Sequence, residues 1–156
     1  MKGRKLLGIA GSAALALGGI FGALAWLAVQ EGRQLDASSK IYVDRYVPAI
    51  LAEWSAELLI RESSSTLREK TSEHEIHATF ERLAALGKLE EYVGSTGSAK
   101  ISISPASGKA VSASYEVRAR CENGDLAVAV TLLREDARWR ISGFFVSSPS
   151  LAGKTR

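Results

Sequence analysis

Apolar and polar residues alternate most regularly between Lys109 and Val146, and this alternation predicts three strands. In the first strand, up to Glu122, every second side chain is apolar or small, as in a strand buried on one face. Asn123-Gly124 is a strong signal for a two-residue hairpin turn, and a second two-residue turn fits at Asp136-Ala137. The pattern therefore predicts an antiparallel sheet with one buried face.

Turns at those two positions would pair like faces across both hairpins, without a bulge. Tyr115 would then oppose Leu132, which would in turn oppose Ile141. Aromatic and arginine side chains together are typical of protein interfaces, although the tail or the first strand could instead cover this face. The outer face would carry the predicted interface residues Arg118, Arg120, Ala127, Ala129, Arg140, Phe144 and Val146.

Helical periodicity precedes the sheet. An apolar stripe predicts a long helix from about Ser39 to Glu62, bent near Asp44–Pro48 because proline removes a hydrogen bond. Ser72 followed by Glu75 is a capping box, which predicts a second helix over Glu73–Leu86.

The segment between the second helix and the hairpins is rich in glycine and serine. Gly87 is expected to end the helix, Leu89–Val93 to continue briefly, and residues 94–98 to form a loop. Residues 100–104 alternate and predict a short edge strand. Helices followed by about four antiparallel strands indicate an α+β fold, with two or three helices on one face of a curved sheet.

The N-terminal segment predicts a membrane anchor. Leu6–Val29 is a run of 24 residues without charge, and about 20 apolar residues span a bilayer. Basic residues precede the run, so the N-terminus is expected inside and the rest outside. The expected organisation is a cytoplasmic tail (1–5), a transmembrane signal-anchor (6–29), a linker (30–38), an extracytoplasmic domain (39–147) and a flexible tail (148–156).

A cleaved signal peptide is the alternative interpretation of the same segment. Ala23-Leu24-Ala25 has the small-x-small pattern of a cleavage site. The apolar run continues through Val29, however, which is longer than the apolar region of a typical signal peptide. The retained anchor in an inner (cytoplasmic) membrane, with a periplasmic or other extracytoplasmic domain, is therefore favoured.

Charge and cysteine content exclude some functions. Three of the 20 Lys+Arg precede the apolar run, so the other 17 balance the 17 Asp+Glu. A neutral domain does not indicate nucleic-acid binding. Cys121 is the only cysteine, so no internal disulfide can form, and its place in the alternation predicts a buried thiol.

Three motifs resemble the nuclear-transport-factor-2-like (cystatin-like α+β) superfamily, in particular its small bacterial exported or membrane-anchored members of unknown function. They are Leu67–Ser72 before the second helix, Leu86–Leu89 at its end, and Asp136–Ile141 in the last hairpin. The resemblance covers roughly Ser39–Val146. It implies a sheet wrapped on helices into a cone, often with a pocket and often dimeric through the sheet. Residues expected at such a pocket are Tyr46, Trp54, Tyr115, Cys121 and Trp139.

Enzymes of that superfamily place an acid or a histidine inside the cone. The inward-facing positions of this sheet contain no Asp, Glu or His, so general acid–base catalysis is not predicted. His77 and Glu81 share a helix face with Glu73 and could hold a divalent metal, but a solvated charged face explains the same residues and is favoured. Neither a metal, a cofactor nor a catalytic residue is assigned.

The sequence therefore favours a non-catalytic, membrane-anchored domain that acts through protein contacts, either as a homodimer or with an envelope protein. The alternative is a domain that binds a small apolar ligand in the cone pocket. An enzyme of the same fold is the third hypothesis.

Overall fold

Helices come first along the chain and a sheet follows. The computed structural model describes residues 6–152, and for residues 6–25 and 152 it describes the backbone alone. The elements are α1 (Leu6–Glu53), α2 (Ala56–Glu62), α3 (Ser65–Lys70), α4 (Glu73–Leu83), a 3-10 turn (Ala84–Leu86), β1 (Leu89–Ser104), β2 (Gly108–Cys121), β3 (Gly124–Glu135), β4 (Arg138–Ser147) and α5 (Pro149–Ala152). The four strands form one antiparallel sheet in the order β1-β2-β3-β4. The predicted α+β class is confirmed.

The chain divides into two compact units, Met1–Leu35 and Asp36–Arg156. The first is helical from Leu6 onward. No helix in the part of the chain that the structure describes is long and apolar enough to cross a membrane. The predicted cytoplasmic tail, residues 1–5, and the side chains of most of the predicted span, residues 6–25, lie outside the described residues.

Residues 30–38, predicted as a linker, are instead part of the continuous helix α1. Two of its polar side chains bind the sheet: the Ala99 N–H donates to the Asp36 carboxylate over 2.7 Å, and the Trp139 indole N–H donates to the Ser38 hydroxyl over 3.0 Å. Partners on the sheet therefore satisfy these groups while the helix continues.

The end of α1 also differs from the prediction of one bent helix up to Glu62. The helix passes through Pro48 and ends at Glu53. Trp54 has a φ of 49° and separates it from α2, whose first turn the Ser55 hydroxyl caps by accepting the Leu58 N–H. A β-region cap residue after a left-handed one ends one helix and starts another, which the apolar stripe alone does not indicate.

The second predicted helix is confirmed as α4, with both hydrogen bonds of the capping box at Ser72 and Glu75 present. Ile76, Phe80 and Leu83 form its buried face. The 3-10 turn extends the helical segment to Leu86, and Gly87 then takes a φ of 82°, which favours glycine.

Strand β1 is much longer than predicted. Residues 89–93, expected to continue the helix, and residues 94–98, expected as a loop, both belong to it. Gly94 lies at a bulge, where its φ is 142°. At Gly97 a Cβ would overlap the Ser114 carbonyl oxygen of β2. The glycines that suggested a loop therefore permit a bulge and a close approach between two strands.

The register of the β2–β3 hairpin is shifted by two residues from the prediction. The loop is Glu122-Asn123, so that Cys121 opposes Gly124 and Tyr115 opposes Val130. The loop residues bind back to the preceding turn: the Glu122 N–H donates to the Lys88 carbonyl and the Asn123 N–H to the Leu86 carbonyl. These tertiary bonds displace the turn, and because the shift is even, each strand keeps its predicted faces.

The predicted absence of a bulge is wrong for the β3–β4 hairpin. The turn at Asp136-Ala137 is confirmed, and Leu132 opposes Ile141 as expected. The register then shifts by one residue at Ser142, so that Val130 opposes Phe144. A one-residue shift exchanges the two faces of a strand. Phe144 and Val146 therefore belong to the inner face and Phe145 to the outer face.

Residues 149–152, predicted as part of a flexible tail, form the short helix α5. The Ser148 hydroxyl donates to the Asp125 carbonyl over 2.7 Å, and the Ser150 hydroxyl donates to the Asn123 carbonyl over 2.8 Å. Residues 153–156 lie outside the described part of the chain.

The core lies between α1 and the inner face of the sheet. Val43, Val47, Ile50 and Leu51 of α1 are at most 1% exposed. The inner side chains of the strands that surround them are also buried: Ala113, Tyr115, Val117, Ala119, Cys121, Leu126, Val128, Val130, Leu132, Trp139 and Ile141.

The turn between β3 and β4 allows a direct stability test. Ala137 has a φ of 61°, a conformation that costs about 1 kcal/mol for a residue with a Cβ. We expect Ala137→Gly to raise the free energy of unfolding by about 0.5–1 kcal/mol. Urea unfolding of a fragment that starts at Glu31 measures it. Ala129→Gly, in the middle of β3, is the matched control and should lower stability; equal effects at both sites would contradict the turn geometry.

Candidate functional site

The outer face of the sheet exposes apolar side chains at one place. Phe145 is 69% exposed and opposes Ala129, and Val93 is 61% exposed. Ala127 opposes Arg118 on the neighbouring strand. We call Val93, Arg118, Ala127, Ala129 and Phe145 the outer-face patch.

A shallow groove of about 560 Å³ lies next to this patch. Val93, Arg118 and Ala127 line it, together with Ser147 and Pro149 at the end of β4. The groove thus joins all four strands of the sheet and the start of α5. Its lining combines apolar side chains with charged ones, among them Glu116 and Arg120, and such a mixed surface suits contact with another protein.

Most of the predicted interface residues lie on this face. Arg118, Arg120, Ala127 and Ala129 do. Phe144 does not: its ring lies 6.0 Å from that of Phe80 in α4. Val146 opposes Val128 on the inner side, and Arg140 is only partly exposed at the edge of the sheet.

The two arginines of the outer face are already paired with acids. The Arg118 Nε lies 3.2 Å from Glu116, and the Arg120 guanidinium lies 3.1 Å from both Glu91 and Asp125. The hydrogen bond to Asp125, followed by the charge of Glu91, raises the pKa of Arg120. All these side chains are at least half exposed, so the pairs contribute little to stability but distribute both signs of charge around the patch.

The predicted cone pocket is filled by protein side chains. Tyr115 is 4% exposed, and its hydroxyl lies 2.9 Å from the Ser39 hydroxyl of α1. Trp54 donates its indole N–H to the Gly87 carbonyl over 2.7 Å. Cys121 is 1% exposed, and burial, reinforced by Glu90 and Glu122, raises the pKa of its thiol. These three predicted pocket residues are therefore core residues.

The other two predicted pocket residues line a cleft at the rim of the sheet. The lining of this cleft consists of Tyr46, Trp139, Tyr42, Arg61, Glu62, Ala137, Arg138 and Arg140. We call these eight residues the rim cleft. Its volume is about 540 Å³, within the range typical of small-molecule sites.

Glu62 is the buried carboxylate of the rim cleft, at 8% exposure. Tyr42 donates to its Oε2 over 3.0 Å, and Arg140 Nη1 lies 3.5 Å from the same oxygen. Arg61 Nε lies 3.5 Å from Oε1. Burial, followed by the Glu62 charge, raises the pKa of Tyr42, so this phenol stays protonated. No sequence motif indicated this cluster.

A polar cluster fastens α1 to the edge strand β1. The Asp44 carboxylate accepts hydrogen bonds from Tyr92 and Ser95, and Lys40 bridges Asp44 and the Ser95 carbonyl. Burial opposes ionisation of Asp44, but these donors together lower its pKa. We call Lys40, Asp44, Tyr92 and Ser95 the α1–β1 latch.

The two histidines do not form a metal site in the described residues. His77 lies 3.8 Å from Glu57 rather than within a set of ligands. No group of three or more His, Cys, Asp or Glu side chains in the described part of the chain is arranged to hold a metal ion.

Sequence reasoning missed Phe145 because it missed the bulge. The signal was Gly143, since an isolated glycine inside a strand pattern suggests a bulge or a close backbone approach. A Cβ there would overlap the Thr131 hydroxyl on β3. Because Gly143 has no side chain, the Thr131 side chain can occupy this space, directly beside the register shift.

A scan of protein-family models and a search of curated proteins found no match to this chain.

Exchange of the two faces at the bulge can be tested with adjacent residues. We expect Phe144→Ala to lower the free energy of unfolding by about 2–4 kcal/mol, because Phe144 packs against Phe80. Phe145→Ala should change it by less than about 0.5 kcal/mol, since Phe145 is exposed. Urea unfolding of both variants measures the two losses in free energy of unfolding. A larger loss for Phe145→Ala than for Phe144→Ala would contradict the bulge and support the predicted register.

The α1–β1 latch predicts a pH dependence. The pKa of Asp44 is lowered from its ordinary value of 3.8, so its contribution to stability is present above that value and is lost as the pH falls through the folded-state pKa. Asp44→Asn should cost about 1–2 kcal/mol near neutral pH. The difference from the unaltered chain should shrink below about pH 4. Tyr92→Phe, which removes one donor, should cost less; a pH-independent difference would contradict the charge-based account.

Proposed function

We propose that this chain is a non-catalytic binding domain that associates through the outer face of its sheet, with a second copy of itself as the partner. The observation that carries the proposal is the exposed Phe145 ring, surrounded by Ala127 and Ala129. Small residues around one large aromatic leave room for the partner's side chain. Aromatic anchors of this kind supply much of the energy of protein interfaces.

The charges around the patch favour a second copy over a strongly charged partner. A symmetric dimer brings the same surface of each copy together, so that surface must complement itself. Arg118 and Arg120 provide positive charge on β2, while Glu116 on the same strand and Asp125 on β3 provide negative charge. Across a two-fold axis each sign can meet its opposite. An envelope protein as partner is the alternative.

Attachment to a membrane is part of the same proposal. It rests on the sequence of residues 6–29, which contains no charge and is preceded by three basic residues. The proposed orientation has the N-terminus inside and the sheet on the extracytoplasmic side. Confinement in a membrane raises the local concentration of the domains and favours weak self-association.

Membership of the nuclear-transport-factor-2-like superfamily remains a proposal as well. It is supported by the order of elements, with helices before four antiparallel strands. Association through the sheet, which the resemblance implies, agrees with the location of the outer-face patch. The packed inner face disfavours a ligand or a substrate inside a cone.

The decisive experiment compares two exposed apolar residues. We expect the fragment from Glu31 to sediment as a dimer, and Phe145→Glu to make it monomeric, because a charge cannot be buried without a partner. Ile103→Glu is the matched control: Ile103 is 81% exposed at the far end of β1 and should not affect the mass. Analytical ultracentrifugation measures both, together with the circular dichroism spectrum.

Three outcomes would decide against this proposal. A monomer at all concentrations in the unaltered fragment and in the full chain would exclude self-association. A dimer that survives Phe145→Glu would place the interface elsewhere. A dimer that both variants disrupt equally would indicate a non-specific effect of added charge.

A further inference from the structure

We infer that the rim cleft binds a small molecule that carries a carboxylate on an aromatic or other flat ring. This inference does not rest on the proposed dimer, because the rim cleft and the outer-face patch have no residue in common. It also differs from the predicted apolar pocket inside the cone, since the cleft opens at the edge of the sheet and is charged.

Positive charge exceeds negative charge in the cleft. Three arginines, Arg61, Arg138 and Arg140, line it together with a single acid, Glu62. Glu62 is already occupied by its Tyr42 hydrogen bond and by ion pairs with Arg61 and Arg140. Its charge therefore holds two of the guanidinium groups in position and does not neutralise the third.

Arg138 is the residue best placed to meet a ligand. It is exposed, and no hydrogen bond or ion pair of its guanidinium group is found among the described residues. Glu135, which lines the adjoining cleft with Arg138, accepts hydrogen bonds from the Ser65 backbone and hydroxyl. A planar guanidinium group matches the two oxygens of a carboxylate, which explains the choice of a carboxylate.

Aromatic rings provide the second part of the site. Tyr42 and Tyr46 lie with ring centroids 4.6 Å apart, and the Trp139 indole forms another wall. Arg134 covers part of the Trp139 ring at 5.8 Å. The Trp139 indole N–H donates to Ser38 over 3.0 Å, which holds the ring in place. A flat ring that packs against these aromatic side chains gains apolar contact at little cost in entropy.

Hydrogen bonds hold the segments that line the cleft in place, as a preformed binding site requires. Ser63 pairs with Ile141 beside it, and the Ser64 N–H donates to the Ile141 carbonyl over 2.8 Å. This pairing fixes the segment that carries Glu62 along the edge of β4. Arg140 Nη1 donates to the Arg61 carbonyl over 3.2 Å and closes the same joint.

The test uses two probes of the same shape and different charge. The full chain in detergent is titrated with 1-naphthoate and with the neutral 1-naphthamide by isothermal titration calorimetry. We expect naphthoate to bind about tenfold more tightly, because the amide forfeits the charge-assisted hydrogen bonds. Arg138→Gln should weaken naphthoate binding about tenfold and leave naphthamide unchanged.

Arg68→Gln is the matched control. Arg68 lines only the adjoining cleft, so this variant removes the same charge without altering the rim cleft. Partition of the probe into detergent is the same for all variants, and unfolding midpoints show that each is folded. Equal binding of the two probes, equal losses in Arg138→Gln and Arg68→Gln, or no saturable binding of naphthoate would overturn the inference.

Discussion

The attachment of α1 to the inner face of the sheet is the interaction on which the rest of the structure depends. Its apolar stripe from Val43 to Leu51 is fully buried, and burial of such side chains contributes about 1.5–3 kcal/mol each. Hydrogen bonds from three strands then fix its position: Ala99 in β1 binds Asp36, Tyr115 in β2 binds Ser39, and Trp139 in β4 binds Ser38. Apolar area supplies the energy, and the polar contacts select one orientation.

This arrangement explains why the candidate binding surfaces lie away from the inner face of the sheet. A helix that fills the inner face leaves no room there for a ligand, so the available surfaces are the outer face and the rim. The bulge at Ser142 then divides β4 into two parts with opposite orientation. It turns Phe144 inward to close the core and leaves Phe145 exposed to solvent.

The two surfaces have different chemistry. The outer-face patch is an apolar centre with balanced charges around it, which suits a protein surface. The rim cleft is concave, contains aromatic rings and has an excess of arginine, which suits a small anion. Arg140, predicted for the first surface, belongs to the second, because its guanidinium group is drawn to Glu62 at the edge of β4.

The sequence alone determined the α+β class, the capping box of α4, the hairpin turn at Asp136-Ala137 and the buried positions of β2, since these depend on local periodicity and turn chemistry. It did not determine the strand register. The β2–β3 loop is fixed by bonds to Leu86 and Lys88, and Gly143 fits against Thr131 beside the β4 bulge. Only the tertiary structure decided which of Phe144 and Phe145 is exposed, because a shift of one residue exchanges the faces of a strand without altering its local pattern.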